Sequence, residues 1–312
     1  MDIEYLLWLQ EFRNATDNLL SPFFMELSTF ATTVLILIPV FIYWAVNKRD
    51  GLFILIAYSL SNVINGIVKL TFCVYRPWIR DARVVPYGNS IKTAGGYSFP
   101  SGHTMEASPV YGGIAVLTRK KAPLIMWICI IGIILTALSR NYLGVHTPQD
   151  VIVGTILGLC SVWIASKITG YIYARPEREN MLLITGTVLF IASLAYFMLK
   201  PYPMDYADGK LIVNPASMIA GSARPLGCFA GLIIGRFIEK TFIKFNVERF
   251  TMKGAVLALI GMIPVYFMYY GVRYWVSFAG PIYANFIEGT ALAVYVIAVW
   301  PMVLKLFKVG ED

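Results

Sequence analysis

The run FATTVLILIPVFIYWAV, residues 30–46, contains no charged side chain, and neither does APLIMWICIIGIILTAL, residues 122–138. Runs of this kind constrain the chain more than any other feature. A bilayer core is crossed by about 20 mostly apolar helical residues, and within it every backbone N–H and C=O must be bonded internally. Such segments recur along the whole chain, which explains its 58% hydrophobic and 14% charged composition and its mean hydropathy of +0.66. Soluble domains sit near 45–50% apolar and about 25% charged. The sequence therefore predicts an all-α, polytopic transmembrane helical bundle. About nine spans are expected, at 23–46, 51–73, 102–118, 122–139, 149–168, 181–199, 217–237, 253–274 and 283–305.

The first 20 residues differ from these runs. Ile3, Leu6, Leu7, Leu9 and Phe12 alternate with Asp2, Glu4, Glu11 and Arg13, the pattern of an amphipathic helix lying in the membrane interface. The start is acidic and has no small-residue cleavage site, so a cleavable leader is not expected. Three regions follow: an interfacial helix at 1–20, a membrane core at 21–199 that carries the polar motifs, and an extension at 200–312 without them. Four cysteines, at 73, 129, 160 and 228, lie in or beside apolar runs without metal spacing and read as packing residues.

The formal net charge of +8 does not point to nucleic acid. The basic residues sit in short turns between spans, where they set membrane orientation. With the N-terminus outside, 15 of the 26 lysines and arginines fall inside, among them Lys48, Arg236, Lys240 and Lys244. Three of those left outside, Lys69, Arg76 and Arg140, belong to the chemistry below. The protein is thus expected to be multi-pass in the cell membrane, with its site on the extracytoplasmic face. Asp205 and Asp208 read as a solvated turn, and Arg273, in YYGVRYW, as part of an aromatic belt.

Three polar clusters interrupt separate spans. KLTFCVYRP holds Lys69, Arg76 and Pro77. FPSGHT holds Ser101, Gly102 and His103. SRNYLGVHTPQD holds Arg140, His146 and Asp150, and the two histidines of the chain are both in these motifs. Lys69, Arg76 and Arg140 bring three positive charges to membrane depth, where charge is costly unless offset, and one acid, Asp150, belongs to the set. The surplus predicts an anionic ligand. Arginine's planar fork matches phosphate oxygens, and lysine adds a point charge. Ser101 and Gly102 open an apolar run and suit a helix N-terminus, whose free N–H groups favour an anion. Gly102 admits close backbone approach.

The histidines divide the remaining work. In HTPQD, Thr147 suits a helix N-cap, Pro148 the first helical position and Asp150 the first turn. Asp150 then lies near His146 and holds one ring nitrogen, leaving the other as a nucleophile. His146 is expected to attack phosphorus, and His103 to protonate the leaving oxygen and later activate water. The cations, with Ser101 and Gly102, stabilise the phosphoryl oxygens. The set lacks the carboxylates a magnesium or two-metal site wants, so neither metal nor cofactor is expected.

Together, Lys-x6-Arg-Pro, Pro-Ser-Gly-His and Ser-Arg-x5-His-x3-Asp resemble the three signature motifs of the type 2 phosphatidic acid phosphatase superfamily. The resemblance covers about residues 50–170. It implies an α-helical membrane phosphatase with the roles just given. The expected substrate is a lipid phosphate or diphosphate entering from the bilayer, with membrane lipids as surroundings and a homodimer possible. A water-soluble sugar phosphate (as in the glucose-6-phosphatase branch), a lipid phosphotransfer, and a non-catalytic phospholipid transporter stay open. Compact lipid phosphatases of the family resemble six-helix bundles, so residues 200–312 are a departure without an assigned role.

Overall fold

The computed structural model describes residues 2–207 and 209–310; of Tyr270 and Arg273 only the backbone is described. Asp208 and the Arg273 side chain, expected in a turn and an aromatic belt, lie outside the described residues. Among the described residues the regular structure is helical apart from one short ribbon, Tyr206–Ala207 paired antiparallel with Lys210–Leu211. Among the described residues eight helical segments are long and apolar enough to cross a membrane: Ser21–Val46, Lys48–Arg80, Pro123–Tyr142, Pro148–Ala174, Pro176–Leu199, Pro215–Ile243, Met252–Tyr269 and Pro281–Leu306. This is a multi-pass helical membrane protein. The remaining expected span, 102–118, forms a helix of 17 residues, Gly102–Thr118. It is shorter than the others, and Thr104, Met105, Ala107, Ser108 and Pro109 are among its buried residues.

Proline marks several helix starts, at Pro123, Pro148, Pro215 and Pro281. Its fixed φ suits the first turn, where its missing N–H costs nothing.

Two compact units form, and both draw on residues from either side of position 200. The first comprises Met1–Ile36, Ile64–Val162 and Tyr202–Met218. One of its apolar cores gathers Ala94, Tyr142, Leu143 and Val145 against Phe24, Met25, Trp78 and Tyr87. The helix Asp2–Ala15 is anchored by buried Arg13, which donates to the carbonyls of Tyr142 at 3.2 Å and Val85 at 2.8 Å. Asp2 pairs with Arg80, and Glu4 with Arg83. The ladder Tyr5, Trp8, Phe12 is stacked, and Trp8 and Phe12 stay exposed, as an interface-lying helix requires. The polar segment after position 200 also belongs here: Tyr75 donates to Asp205 at 2.5 Å, and Val213 is buried with Cys73 and Tyr97.

The second unit comprises Leu37–Val63, Trp163–Pro201 and Ile219–Asp312. It contains three single π-helical turns, Ile42–Val46, Glu239–Ile243 and Tyr295–Val299. A π turn frees carbonyls from the regular ladder. Two find side-chain donors: Trp44 Nε1 bonds Val296 O at 2.8 Å, and Tyr43 Oη bonds Ile297 O at 3.2 Å.

Candidate active site

Lys69, Arg76, Ser101, Gly102, His103, Arg140, His146 and Asp150 all fall in the first unit. Lys69 ends the helix Lys48–Phe72, and Arg76 sits just before the short helix Pro77–Arg80. The chain then loops outward and returns at 95–101. Two cations hold that return. Lys69 Nζ donates to Pro100 O at 2.7 Å, Tyr97 O at 3.2 Å and Ser98 O at 3.4 Å. Arg76 donates to Gly95 O and Gly96 O at 3.1 and 3.2 Å. The Ser98 N–H meets Val74 O at 2.7 Å, and the Ser101 N–H meets Asp150 O at 2.9 Å. Pro-Ser-Gly-His is thereby pinned between the first and third motifs.

Ser101 is the N-cap of Gly102–Thr118, yet its hydroxyl makes no capping bond and has no partner among the described residues, though fully buried. A Cβ added at Gly102 would meet only Asn65 Nδ2, at 3.6 Å, an ordinary contact. Protein packing therefore does not demand glycine here. Glycine does matter at Gly158, where an added Cβ would fall 2.8 Å from Ser108 Cβ. The small residue lets Pro148–Ala174 press against Gly102–Thr118.

The third motif turns between two helices. Arg140 lies in the last turn of Pro123–Tyr142. Gly144 has φ +73°, and the N–H of Val145 closes back on Arg140 O at 3.1 Å, a left-handed helix ending that favours glycine. His146 follows, and Pro148 opens the next helix. Asp150 Oδ2 accepts from the Thr147 N–H at 2.9 Å, the reach-back bond of a capping box. It also lies 3.2 Å from His146 Nδ1. The x3 spacing thus serves a helix cap and the histidine at once.

Arg76 Nη1 stands 2.8 Å from His146 Nε2 and donates to Val145 O at 3.0 Å. A guanidinium can only donate, so Nε2 carries the lone pair and Nδ1 the hydrogen facing Asp150. Burial first, and then Arg76, hold His146 below the ordinary histidine value, against the opposing pull of Asp150. The ring is neutral, with a fixed tautomer and its lone pair turned toward a cation.

Arg140 is 1% exposed, and its Nη1 donates to Ser28 Oγ at 2.5 Å. Its Nε and Nη2 have no partner among the described residues. His103 lies within electrostatic reach of Arg140, His146, Arg76 and Lys69. One expectation needs correction. Glu106, one turn beyond His103, acts electrostatically on Arg140, so two carboxylates rather than one attend the three cations. One positive charge and several buried donors remain in excess.

Three residues outside the predicted set contribute. Ser98 Oγ is 2.5 Å from Asp150 Oδ2 and 3.4 Å from His146 Nδ1. Asn141 Nδ2 donates to His146 O at 2.8 Å. Ser28 comes from a helix far earlier in the chain. A lone serine or asparagine carries no sequence signal, although Ser98 and Asn141 lie beside motif residues. Among the described residues no group of three or more His, Cys, Asp or Glu side chains gathers as a metal site would.

The family model described as the PAP2 superfamily matches residues 50–174. Phosphatidylglycerophosphatase B of Bacillus subtilis is 33% identical over 139 residues, 42% of this chain and 64% of that protein. Undecaprenyl-diphosphatase of Sulfolobus acidocaldarius is 33% identical over 113 residues, 36% of this chain and 52% of its own length. A protein of Bacillus licheniformis named bacitracin transport permease protein BcrC is 26% identical over 136 residues, 41% of this chain and 64% of its own. The chain thus spans between about half and two thirds of these relatives. No solved structure gives a significant match.

Proposed function

We propose, from the match of residues 50–174 to the PAP2 superfamily model, that the protein hydrolyses a phosphate or diphosphate ester carried by a membrane lipid, through a phosphohistidine and without a metal. The observation that carries this reading is the pairing of a neutral, oriented His146 with buried donors that have no acceptor among the described residues, Arg140 Nε, Arg140 Nη2 and Ser101 Oγ. A phosphoryl group supplies the acceptors those donors lack.

In the first step His146 Nε2 attacks phosphorus. The P–N bond forms as the bond to the lipid oxygen breaks, and His103, which takes up a proton when the phosphoryl anion binds beside it, gives that proton to the oxygen. Asp150 holds the Nδ1 hydrogen and offsets the positive charge that develops on the ring. In the second step His103, now neutral, takes a proton from water. The hydroxide attacks phosphorus, the P–N bond breaks, phosphate leaves, and both histidines return to their starting states. Arg140, Arg76, Ser101 and the first N–H groups of the 102–118 helix stabilise the equatorial oxygens. Arg76 moves its Nη1 from His146 to the phosphoryl group when substrate arrives. Lys69 holds the Pro-Ser-Gly-His turn and adds charge.

The site operates on the extracytoplasmic face of the cell membrane and admits the headgroup sideways from the bilayer. The names of two relatives, a phosphatidylglycerophosphatase and an undecaprenyl-diphosphatase, support a lipid ester over a sugar phosphate. The relative named as a transport permease favours one second reading, a phospholipid transporter in which the cations only bind phosphate. Phosphate release in EDTA separates the readings. Phosphatidate, phosphatidylglycerol phosphate, a sphingoid phosphate, a polyprenyl diphosphate and glucose 6-phosphate form the panel, with His146→Ala as blank. Release from lipid esters, inhibited by vanadate, is expected. Release chiefly from glucose 6-phosphate would overturn the lipid assignment, and loss of activity in EDTA would overturn metal independence. No release from any ester would leave transport or phosphotransfer.

A further inference from the structure

The second unit contains a second buried assembly of charge, and the phosphatase reading does not use it. Arg236 makes a two-pronged contact with Glu179, Nε to Oε1 at 2.6 Å and Nη2 to Oε2 at 3.1 Å. It also bonds Glu239. Lys48 reaches Glu239 at 2.6 Å. Both carboxylates are almost wholly buried, and these two cations balance their charge. Two further lysines, Lys240 and Lys244, open onto the same cavity of about 640 Å³. Lys240 donates to neutral Asn180 Oδ1 at 2.5 Å and is 4.0 Å from Glu179, a carboxylate already held by Arg236.

Among the described residues the cavity wall therefore carries two positive charges beyond its two carboxylates. The Glu239–Ile243 π turn is what presents Glu239 inward and Lys240 at the mouth. Phe237 on the wall and Phe242 in the same turn are exposed apolar rings. Cationic concavities beside apolar surface, at the basic end of membrane helices, suit an acidic headgroup whose chains stay in the bilayer. By the count of basic residues this end is the inner one.

We propose that this cavity is a second anion site, which takes a phosphate group through Lys240 and Lys244 while the Arg236–Glu179–Glu239–Lys48 network holds the wall in shape. The site shares no residue with the three polar motifs and does not rest on the proposed hydrolysis.

The test is equilibrium dialysis of radiolabelled inorganic phosphate against the full-length protein in zwitterionic detergent. The comparison is wild type, Lys240→Ala/Lys244→Ala, and the same pair added to Arg140→Ala, which weakens the first site. The double variant is expected to lose about one bound phosphate per chain in both backgrounds. Lys240→Arg/Lys244→Arg is expected to restore it. Competition by short-chain phosphatidylglycerol, absent with phosphatidylcholine of the same chain length, would assign the phosphate to an acidic lipid headgroup; competition by glycerol phosphate alone would assign it to a soluble ester. Equal phosphate binding by wild type and the lysine-to-alanine pair, with both proteins unfolding at the same temperature, would overturn the proposal. The reading is binding alone, so a chain with no hydrolytic activity tests it equally well.

Discussion

The buried charges of the three polar motifs and those around Arg236 are built on opposite plans. In the second unit Arg236 and Lys48 face Glu179 and Glu239, and each carboxylate is held by at least one cation at ordinary salt-bridge distance. In the first unit Lys69, Arg76 and Arg140 are directed mainly at backbone carbonyls, a serine and a histidine, and Arg140 Nε and Nη2 have no acceptor among the described residues. Burying a cation is tolerable when a carboxylate sits against it and costly when none does. The first plan holds a structure together. The second leaves buried donors without an acceptor among the described residues, which is what the proposed phosphate site requires. Residue type alone does not separate the two, since both groups combine arginine, lysine and acid in helices.

Substitutions sharpen or break this contrast. His146→Ala should lower turnover by about 10⁴-fold or more, as removal of a nucleophile does, while the unfolding temperature stays near wild type. Phosphate release with and without vanadate checks it, and near-normal hydrolysis would remove His146 from the nucleophile role. Asp150→Asn keeps a hydrogen-bonding side chain but loses the charge that fixes the His146 tautomer; a loss of roughly 10²- to 10⁴-fold in kcat is expected.

In the other group the effect should fall on stability. Glu179→Gln leaves Arg236 buried with weaker acceptors, and a loss of about 3 kcal/mol is expected in denaturant unfolding, with hydrolysis per folded molecule unchanged. A large catalytic defect at constant stability would erase the distinction between the groups.

The acidic limb of kcat/KM should lie below pH 6.5, the ordinary histidine value, because His146 is held below it in the free enzyme. As pH falls through that lowered value the ring gains a proton, Nε2 loses its lone pair and the rate drops. In the same window the unfolded chain binds more protons than the folded one, so stability also declines as pH falls. A pH–rate profile and unfolding curves from pH 4 to 7 test both. The smallest effect is expected for Ser98→Ala. Removing the hydroxyl between Asp150 and His146 should cost about 10-fold in kcat, near 1.4 kcal/mol, and shift the acidic limb. Ser98→Thr should recover part of it, and a change in KM alone would mean that Ser98 does not act through the His146–Asp150 pair.

Much of the site was legible because its motifs are local. Arg140, His146 and Asp150 come from one helix–turn–helix, and their spacing follows from a left-handed ending at Gly144 and a cap at Thr147. The start of the helix at Pro148 was readable for the same reason. Ser28 was not legible, because it meets Arg140 across 112 residues of chain and nothing about a serine in an apolar helix foretells its partner. Glu106 lies three residues past His103, but its effect on Arg140 depends on how two helices face each other. Residues 200–312 read as one extension, whereas Tyr202–Met218 folds with the first unit and Ile219–Asp312 with the second.

The order of apolar and polar segments by itself determined that this chain crosses the membrane as helices and that three polar motifs, the basis of the proposed phosphate chemistry, interrupt them. Both follow from local rules: apolar length against bilayer thickness, and caps and turns at fixed spacing. Only the tertiary structure decided which buried cations are neutralised and which are left with donors to spare. That depends on distances between side chains far apart in sequence, and the cost of a buried charge is set by what lies within a few ångströms of it.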